Sequence, residues 1–145
     1  MFEYYTERAR RAILWSLFRA EEAGSLSIEP EHLLAGILRV DPKLVESFPQ
    51  LAGLVPKPIP EPPRPEILEP APRRDKPLSQ ASKRALAYSA EESERLKHSH
   101  VGPEHLLLGL LREGKSNAAE MLRAHGVTLE GARKNFSREG ARESQ

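Results

Sequence analysis

The sequence predicts an all-α fold: a pseudo-two-fold bundle of two copies of one helical repeat, joined by an extended, proline-rich linker. Three observations predict it. Ile28-Glu-Pro-Glu-His-Leu-Leu-Ala-Gly-Ile-Leu-Arg39 lies without a gap over Val101-Gly-Pro-Glu-His-Leu-Leu-Leu-Gly-Leu-Leu-Arg112, at an offset of 73 residues. Extended back to Thr6, the alignment holds 12 identities in 34 positions, which marks a tandem duplication. Apolar residues in both copies recur at helical spacing, and no stretch shows convincing strand alternation. Finally, 11 of the 13 prolines in this 145-residue chain fall between Pro42 and Pro77. Interior prolines break helices, so no long helix crosses the middle of the chain.

The first helix of copy one is read from Ala9, Ala12, Ile13, Ser16, Leu17, Ala20 and Ala23, with Thr6 as N-cap. Its counterpart carries Ala85, Leu86, Ser89 and Leu96 behind a Ser79 cap. Trp15 and Phe18 lie off the main stripe; Trp15 aligns with Tyr88 and is assigned to the core rather than to a partner-binding patch. A second helix follows in each copy, with Pro30 and Pro103 in the first turn, where a missing N–H costs nothing. In copy two, Ser116 or Asn117 caps a third helix through Ala118, Ala119 and Leu122, stopped by Gly126. Thr128 caps a fourth, running to about Phe136. Copy one is eroded here: Pro42 to Pro49 allows one short helix, and Gln50 to Leu54 another turn.

Neither copy of about 40 residues can bury its leucines alone, so the two are expected to pack as one domain. The expected boundaries are about 2–50 for repeat one, 51–76 for the linker and 77–136 for repeat two, with a fraying polar tail at 137–145. The linker, Pro56 to Pro65 above all, reads as polyproline-type spacer.

Composition narrows the function. With 22 Lys+Arg against 21 Asp+Glu the net charge is +1, which gives no support to nucleic-acid binding. The absence of cysteine excludes disulfides, a thiol nucleophile and Cys-based zinc. No apolar run approaches the ~20 residues that span a bilayer. Arg8, Arg10 and Arg11 before Ala12-Ile-Leu-Trp-Ser-Leu-Phe18 imitate a secretory leader, but Glu3 and Glu7 sit in the would-be basic region and no cleavage signal follows. The expectation is a soluble, cytoplasmic protein that touches neither membrane nor nucleic acid.

Several motifs invite a sharper reading. Gly109-Leu-Leu-Arg-Glu-Gly-Lys-Ser116 spells a phosphate-binding loop. That chemistry needs a strand before the loop and free N–H groups within it; here the first five residues continue an apolar helix, so nucleotide binding is the least favoured reading. His98, His100 and His105 raise the question of a metal, but the first two lie in a connection and nothing fixes a third or fourth ligand. No metal, cofactor or catalytic residue is assigned. His32 and His105 are equivalent, which favours a structural hydrogen bond. Glu31 and Glu104, in the first turns of their helices, either balance the helix dipole or grip a guanidinium or basic group of a ligand.

Tyr5-Thr-Glu-Arg-Ala-Arg-Arg-Ala12 followed by Pro30-Glu-His-Leu-Leu-Ala-Gly36, and again Val101-Gly-Pro-Glu-His-Leu-Leu-Leu-Gly-Leu-Leu-Arg-Glu-Gly114 with Ala118-Ala119, Leu122 and Gly126-Val127, resembles the Clp repeat. That is the duplicated N-terminal domain of the Clp unfoldases, the ClpC type above all. The resemblance covers about residues 2–50 and 77–136. It implies a non-catalytic module that binds adaptors, substrates or Clp subunits, here without the ATP-driven rings, as a free-standing recognition protein or as a stabiliser or decoy of a Clp complex. It also implies that Glu31 and Glu104 stand where some relatives bind phosphoarginine, within a Gly-Thr-Glu-His motif. Both copies have proline in place of that threonine, and copy one has Glu29 in place of the glycine. The ligand-binding residues expected on this basis are Pro30, Glu31 and His32 with Pro103, Glu104 and His105.

Overall fold

The structure is a computed structural model that describes residues 4–54 and 77–143, the side chains of 54 and 138–143 excepted. Most of the proline-rich linker, Pro56 to Pro65 included, lies outside the described residues. Repeat one contains α1 (Glu7–Glu22), α2 (Pro30–Val40), α3 (Pro42–Ser47) and a 3-10 turn (Pro49–Leu54). Repeat two contains α4 (Gln80–Arg95), α5 (Pro103–Glu113), α6 (Asn117–Ala124) and α7 (Leu129–Glu143). The first two helices of the copies begin and end at positions 73 apart.

The caps are those the side chains can make. The Thr6 hydroxyl accepts from the Ala9 N–H at 3.1 Å, and Ser79 does the same for Ser82 at 3.1 Å. Ser116, rather than Asn117, caps α6 by accepting from Ala119, and Thr128 accepts from Gly131. At their C-termini α1 and α4 turn through a matched pair of residues. Gly24 has φ +68°, and Lys97, at the same place in copy two, has φ +61°. Both ends close with the paired hydrogen bonds of a Schellman motif, Ser25 N–H to Ala20 O and His98 N–H to Ser93 O.

Within each copy the two long helices approach until backbone meets backbone. A Cβ at Gly36 would overlap the Ala12 carbonyl oxygen, and one at Gly109 would overlap that of Ala85. Glycine at these two points lets the leucine-rich faces close. Leu33, Leu34, Ile37 and Leu38 of α2 and Leu106, Leu107, Leu108, Leu110 and Leu111 of α5 are buried in one cluster that spans both copies. Below them Phe48 meets Phe136 edge-on, with centroids 5.8 Å apart.

The copies also exchange backbone. Thr6 N–H donates to Val101 O and Val101 N–H to Tyr4 O; symmetrically, Ser79 N–H donates to Ile28 O and Ile28 N–H to Pro77 O, all at 2.8–3.0 Å. The resulting parallel bridges, Tyr5 with Val101 and Ile28 with Leu78, tie the start of each repeat to the loop before the second helix of the other. They are isolated bridges, and the chain is all-α as expected.

Trp15 lies in the core as expected, while three other details depart from expectation. Ala23 is the exposed C-cap of α1 rather than part of its buried stripe. Trp15, at 8% exposure, has the Arg39 guanidinium 4.9 Å from its ring centroid. Arg112 lies over Tyr88 in the same way at 4.5 Å, so the duplicated arginine roofs the duplicated ring. Helix α4 buries a carboxylate, Glu92, which no apolar spacing foretells. Lastly, α7 does not stop at about Phe136 but continues to Glu143. The alanine, arginine and glutamate residues of this extension favour helix, and a single glycine is tolerated there.

Lys97→Gly should remove the left-handed strain of a side-chain-bearing residue and stabilise the fold by about 1 kcal/mol, raising Tm by roughly 3–5 °C in a thermal melt. Gly109→Ala should do the opposite by about 2–3 kcal/mol, since the helix pair must separate to admit a methyl group.

Candidate functional site at the paired helix starts

The N-terminus of a helix leaves N–H groups without intrahelical partners. In α2 and α5 one flanking donor is satisfied by an unusual residue, a histidine three positions into the helix. The Glu29 N–H donates to His32 Nδ1 at 2.9 Å, and the Gly102 N–H donates to His105 Nδ1 at 2.8 Å. This is the backward half of a capping box, with imidazole in place of the usual carboxylate or amide. A ring nitrogen that accepts must be unprotonated, so both histidines are held neutral. Burial lowers the pKa of His32, against the charges of Glu31 and Glu29. It lowers that of His105 to about 3, helped by His98 and His100. His105 is fully buried; its 3.4 Å approach to the Glu104 carboxylate is therefore not an ion pair.

The structure sets the six expected residues in two equivalent triplets. Pro30 and Pro103 are buried at the first helical position, and the histidines support the turn from within. Glu31 and Glu104 keep part of their surface in solvent. The two carboxylates then differ, for a reason visible at one residue. Gly102 has no side chain, and the Glu104 carboxylate folds over it, into the space a Cβ would fill. In copy one that space belongs to Glu29, whose carboxylate accepts from the Ser27 hydroxyl. Glu31 points elsewhere and accepts from Asn117 Nδ2, at the start of α6, at 3.4 Å. The Glu31–Asn117 pairing was invisible in the sequence, since the partners lie in different repeats.

The sequence that spells a phosphate loop is not one. Residues 109–113 are the last turns of α5, with their N–H groups inside the helix. The Gly114 N–H donates to Leu110 O at 3.3 Å, and those of Lys115 and Ser116 donate to the Glu113 carboxylate at 3.1 and 3.0 Å. An anion would find that place taken. Among the described residues no group of three or more His, Cys, Asp or Glu is arranged to hold a metal ion, and no helix is long and apolar enough to cross a membrane.

A second polar centre escaped sequence reasoning. Glu92 is fully buried and receives two hydrogen bonds of 2.7 Å from Arg133 and one of 3.2 Å from Arg112. Burial alone would push its pKa up, but the hydrogen bonds and charge of Arg133, with those of Arg112, outweigh it and hold the carboxylate below its ordinary range. The contacts bind α7 to α4 and α5. Copy one has Arg19 at the position of Glu92, paired with Glu22 at the surface.

Burial of neutral His105 fixes a pH dependence. Between the ordinary histidine pKa of 6.5 and the folded value of about 3, the unfolded chain binds the extra proton. Stability should therefore be complete above about pH 6.5 and fall as pH drops towards 3, by an amount on the order of 5 kcal/mol for this group. His105→Gln, which can still accept the Gly102 N–H, should flatten that part of the curve in denaturant melts at several pH values.

Comparison with known proteins agrees with this geometry. Residues 77–145 match the Clp repeat (R) N-terminal domain family. The chaperone protein ClpB of Oceanobacillus iheyensis is 35% identical over 147 residues, covering 100% of this chain and 18% of that protein. ClpC/MecB of Bacillus subtilis, a negative regulator of genetic competence, is 34% identical over 139 residues, covering 92% of this chain and 16% of that protein. The chain thus spans less than a fifth of the length of these curated relatives. The N-terminal domain of the caseinolytic protease associated chaperone ClpD from Arabidopsis thaliana has the same fold, with a TM-score of 0.62, 22% identity and 93% coverage of each chain. Duplicated helices, matched histidine-supported turns and relatives along the whole length lead to one conclusion: the chain belongs to the Clp N-terminal domain family.

Proposed function

We propose that the domain is a non-catalytic recognition module of the Clp chaperone and protease system, and that it takes protein ligands at the two helix starts. The observation that carries this reading is the repetition of a partly exposed carboxylate, Glu31 and Glu104, on a turn locked by a buried neutral histidine. A structural need for negative charge at a helix end is met by any acidic residue in the first turn. A turn held rigid in both copies, with its carboxylate left partly in solvent, has the further property of preorganisation for a cation.

The ligand chemistry that fits is a guanidinium or ammonium group on an adaptor, a substrate or a Clp subunit, bound through charge-assisted hydrogen bonds. An arginine-phosphorylated segment offers that group together with a phosphate, which would need donors other than the threonine hydroxyl that Pro30 and Pro103 replace. The alternative of a stabiliser or decoy docked through Trp15 and Phe18 has less support, since Trp15 lies buried beneath Arg39.

Calorimetric titration with a phosphoarginine peptide, and with its unphosphorylated arginine twin, tests the reading. Micromolar binding of either peptide that weakens at least about tenfold in the Glu31→Ala/Glu104→Ala protein is the expected outcome, a loss of about 1.4 kcal/mol. Equal binding by that variant, or no binding of either peptide by the parent chain, would overturn the assignment of these sites.

A further inference from the structure

In the stretch leading into its second helix, copy two carries three histidines where copy one has only His32. His98 and His100 stand at the positions of Ser25 and Ser27. The His98 and His100 rings are nearly parallel, with centroids 6.2 Å apart, and both lie edge-on to His105, at 4.9 and 6.0 Å. His98 Nδ1 is 2.7 Å from His105 Nε2. His105 Nδ1 already accepts from Gly102 N–H, so the ring proton of neutral His105 is on Nε2 and donates to His98 Nδ1. The result is a directional relay: Gly102 N–H to His105, then His105 N–H to His98.

One proton breaks it. A charged His98 carries hydrogen on both ring nitrogens, so its Nδ1–H would face the Nε2–H of His105. If His105 moved its own proton to Nδ1 to accept from His98, it would confront the Gly102 N–H instead. Either way one of the two hydrogen bonds is lost. His105 is sealed in the core, whereas His98 is half-buried and His100 exposed, so the proton enters through the loop.

Glu104 of α5 lies 3.4 Å from His105 Nδ1, with its carboxylate folded over Gly102. Glu92 of α4 also acts on His105, but is neutralised by Arg112 of α5 and Arg133 of α7. Across the loop is Tyr5, paired with Val101. The loop itself starts at Lys97, in left-handed backbone that a lysine adopts under strain. Its other ties include the His98 N–H to Ser93 O bond, the Ser93 hydroxyl, which donates to His98 O and His100 O, and the Val101 bridge to Tyr4 and Thr6.

We propose that His98, His100 and His105 form a proton-operated latch on the loop before α5, so that mild acidification releases this loop from the helix start and from the N-terminal segment while the equivalent loop of copy one stays closed. The released residues are those beneath Glu104, so the latch would make one of the two carboxylate sites pH-responsive. That consequence for ligands rests on the function proposed above; the latch itself does not.

The pseudo-symmetry supplies the internal control. Amide hydrogen exchange of the full chain reads Gly102, Val101 and Thr6 against their equivalents Glu29, Ile28 and Ser79, and taking the ratio within each pair removes the common pH dependence of exchange chemistry. On going from about pH 7.5 to about 5.5, the range in which imidazole titrates, the amides of Gly102, Val101 and Thr6 should lose about tenfold more protection than their partners. In His98→Ser/His100→Ser, which installs the residues of copy one, the ratio should not move with pH. His98→Gln, which keeps an acceptor without a titrating ring, should match the parent at pH 7.5 and also show no shift. Equal loss of protection in both copies, or a shift that persists in either variant, would overturn the latch. Loss of peptide binding in the calorimetric experiment with this shift intact would overturn only the binding site.

Discussion

The backbone just before α1 and α4 and the loops just before α2 and α5 have donors and acceptors that no helix satisfies. Each finds its partner in the opposite repeat, through Thr6, Val101 and Tyr4 on one side and Ser79, Ile28 and Pro77 on the other. This exchange is the constraint on which the remaining structure depends. Buried backbone groups without partners would each cost about as much as a lost hydrogen bond, so neither repeat can hold its loop in place without the other. In copy two the pairing reaches the histidine cluster, because Val101 stands between His100 and Gly102. The same loops therefore join the halves and shape the two helix starts.

Duplication gave the halves one frame and divergence gave them different chemistry. The glycine at each helix crossing, the arginine over each aromatic ring and the histidine behind each turn recur at the offset of 73. These residues occupy positions where backbone or ring geometry leaves little choice. Other positions have changed, some of them buried. Glu29 for Gly102 redirects a neighbouring carboxylate, Arg19 for Glu92 moves an ion pair from the core to the surface, and Ser25 and Ser27 for His98 and His100 remove the relay. The two helix starts built on this frame are alike in backbone and unlike in charge.

Buried Glu92 shows what this divergence demands. A carboxylate removed from water is costly unless its oxygens are filled, and here both are filled by guanidinium donors from two helices. Arg112 therefore has three tasks: it covers Tyr88, neutralises Glu92 and pairs with exposed Glu91. Its counterpart Arg39 covers Trp15. The fourth helix of copy two is fastened by this network together with Ala132 and Phe136, which are buried in the common core.

Period, caps and repetition were enough to place every helix, because they are properties of neighbours in the chain. Thr6, Ser79, Ser116 and Thr128 act within three residues, and the paired Pro30 and Pro103 mark the helix starts from the sequence alone. The equivalence of His32 and His105 made a structural hydrogen bond legible as well. What the tertiary structure decided depends on distance across the fold. Glu31 meets Asn117 from another repeat, and Glu92 meets Arg133 from the last helix. His98 reaches His105 only because the loop turns back at Lys97, and the letters of a phosphate loop become a helix end whose N–H groups are already bonded. Local pattern determines which segments are helical and which carboxylates sit at their starts; long-range packing determines which of those charges are buried, paired or left for a ligand.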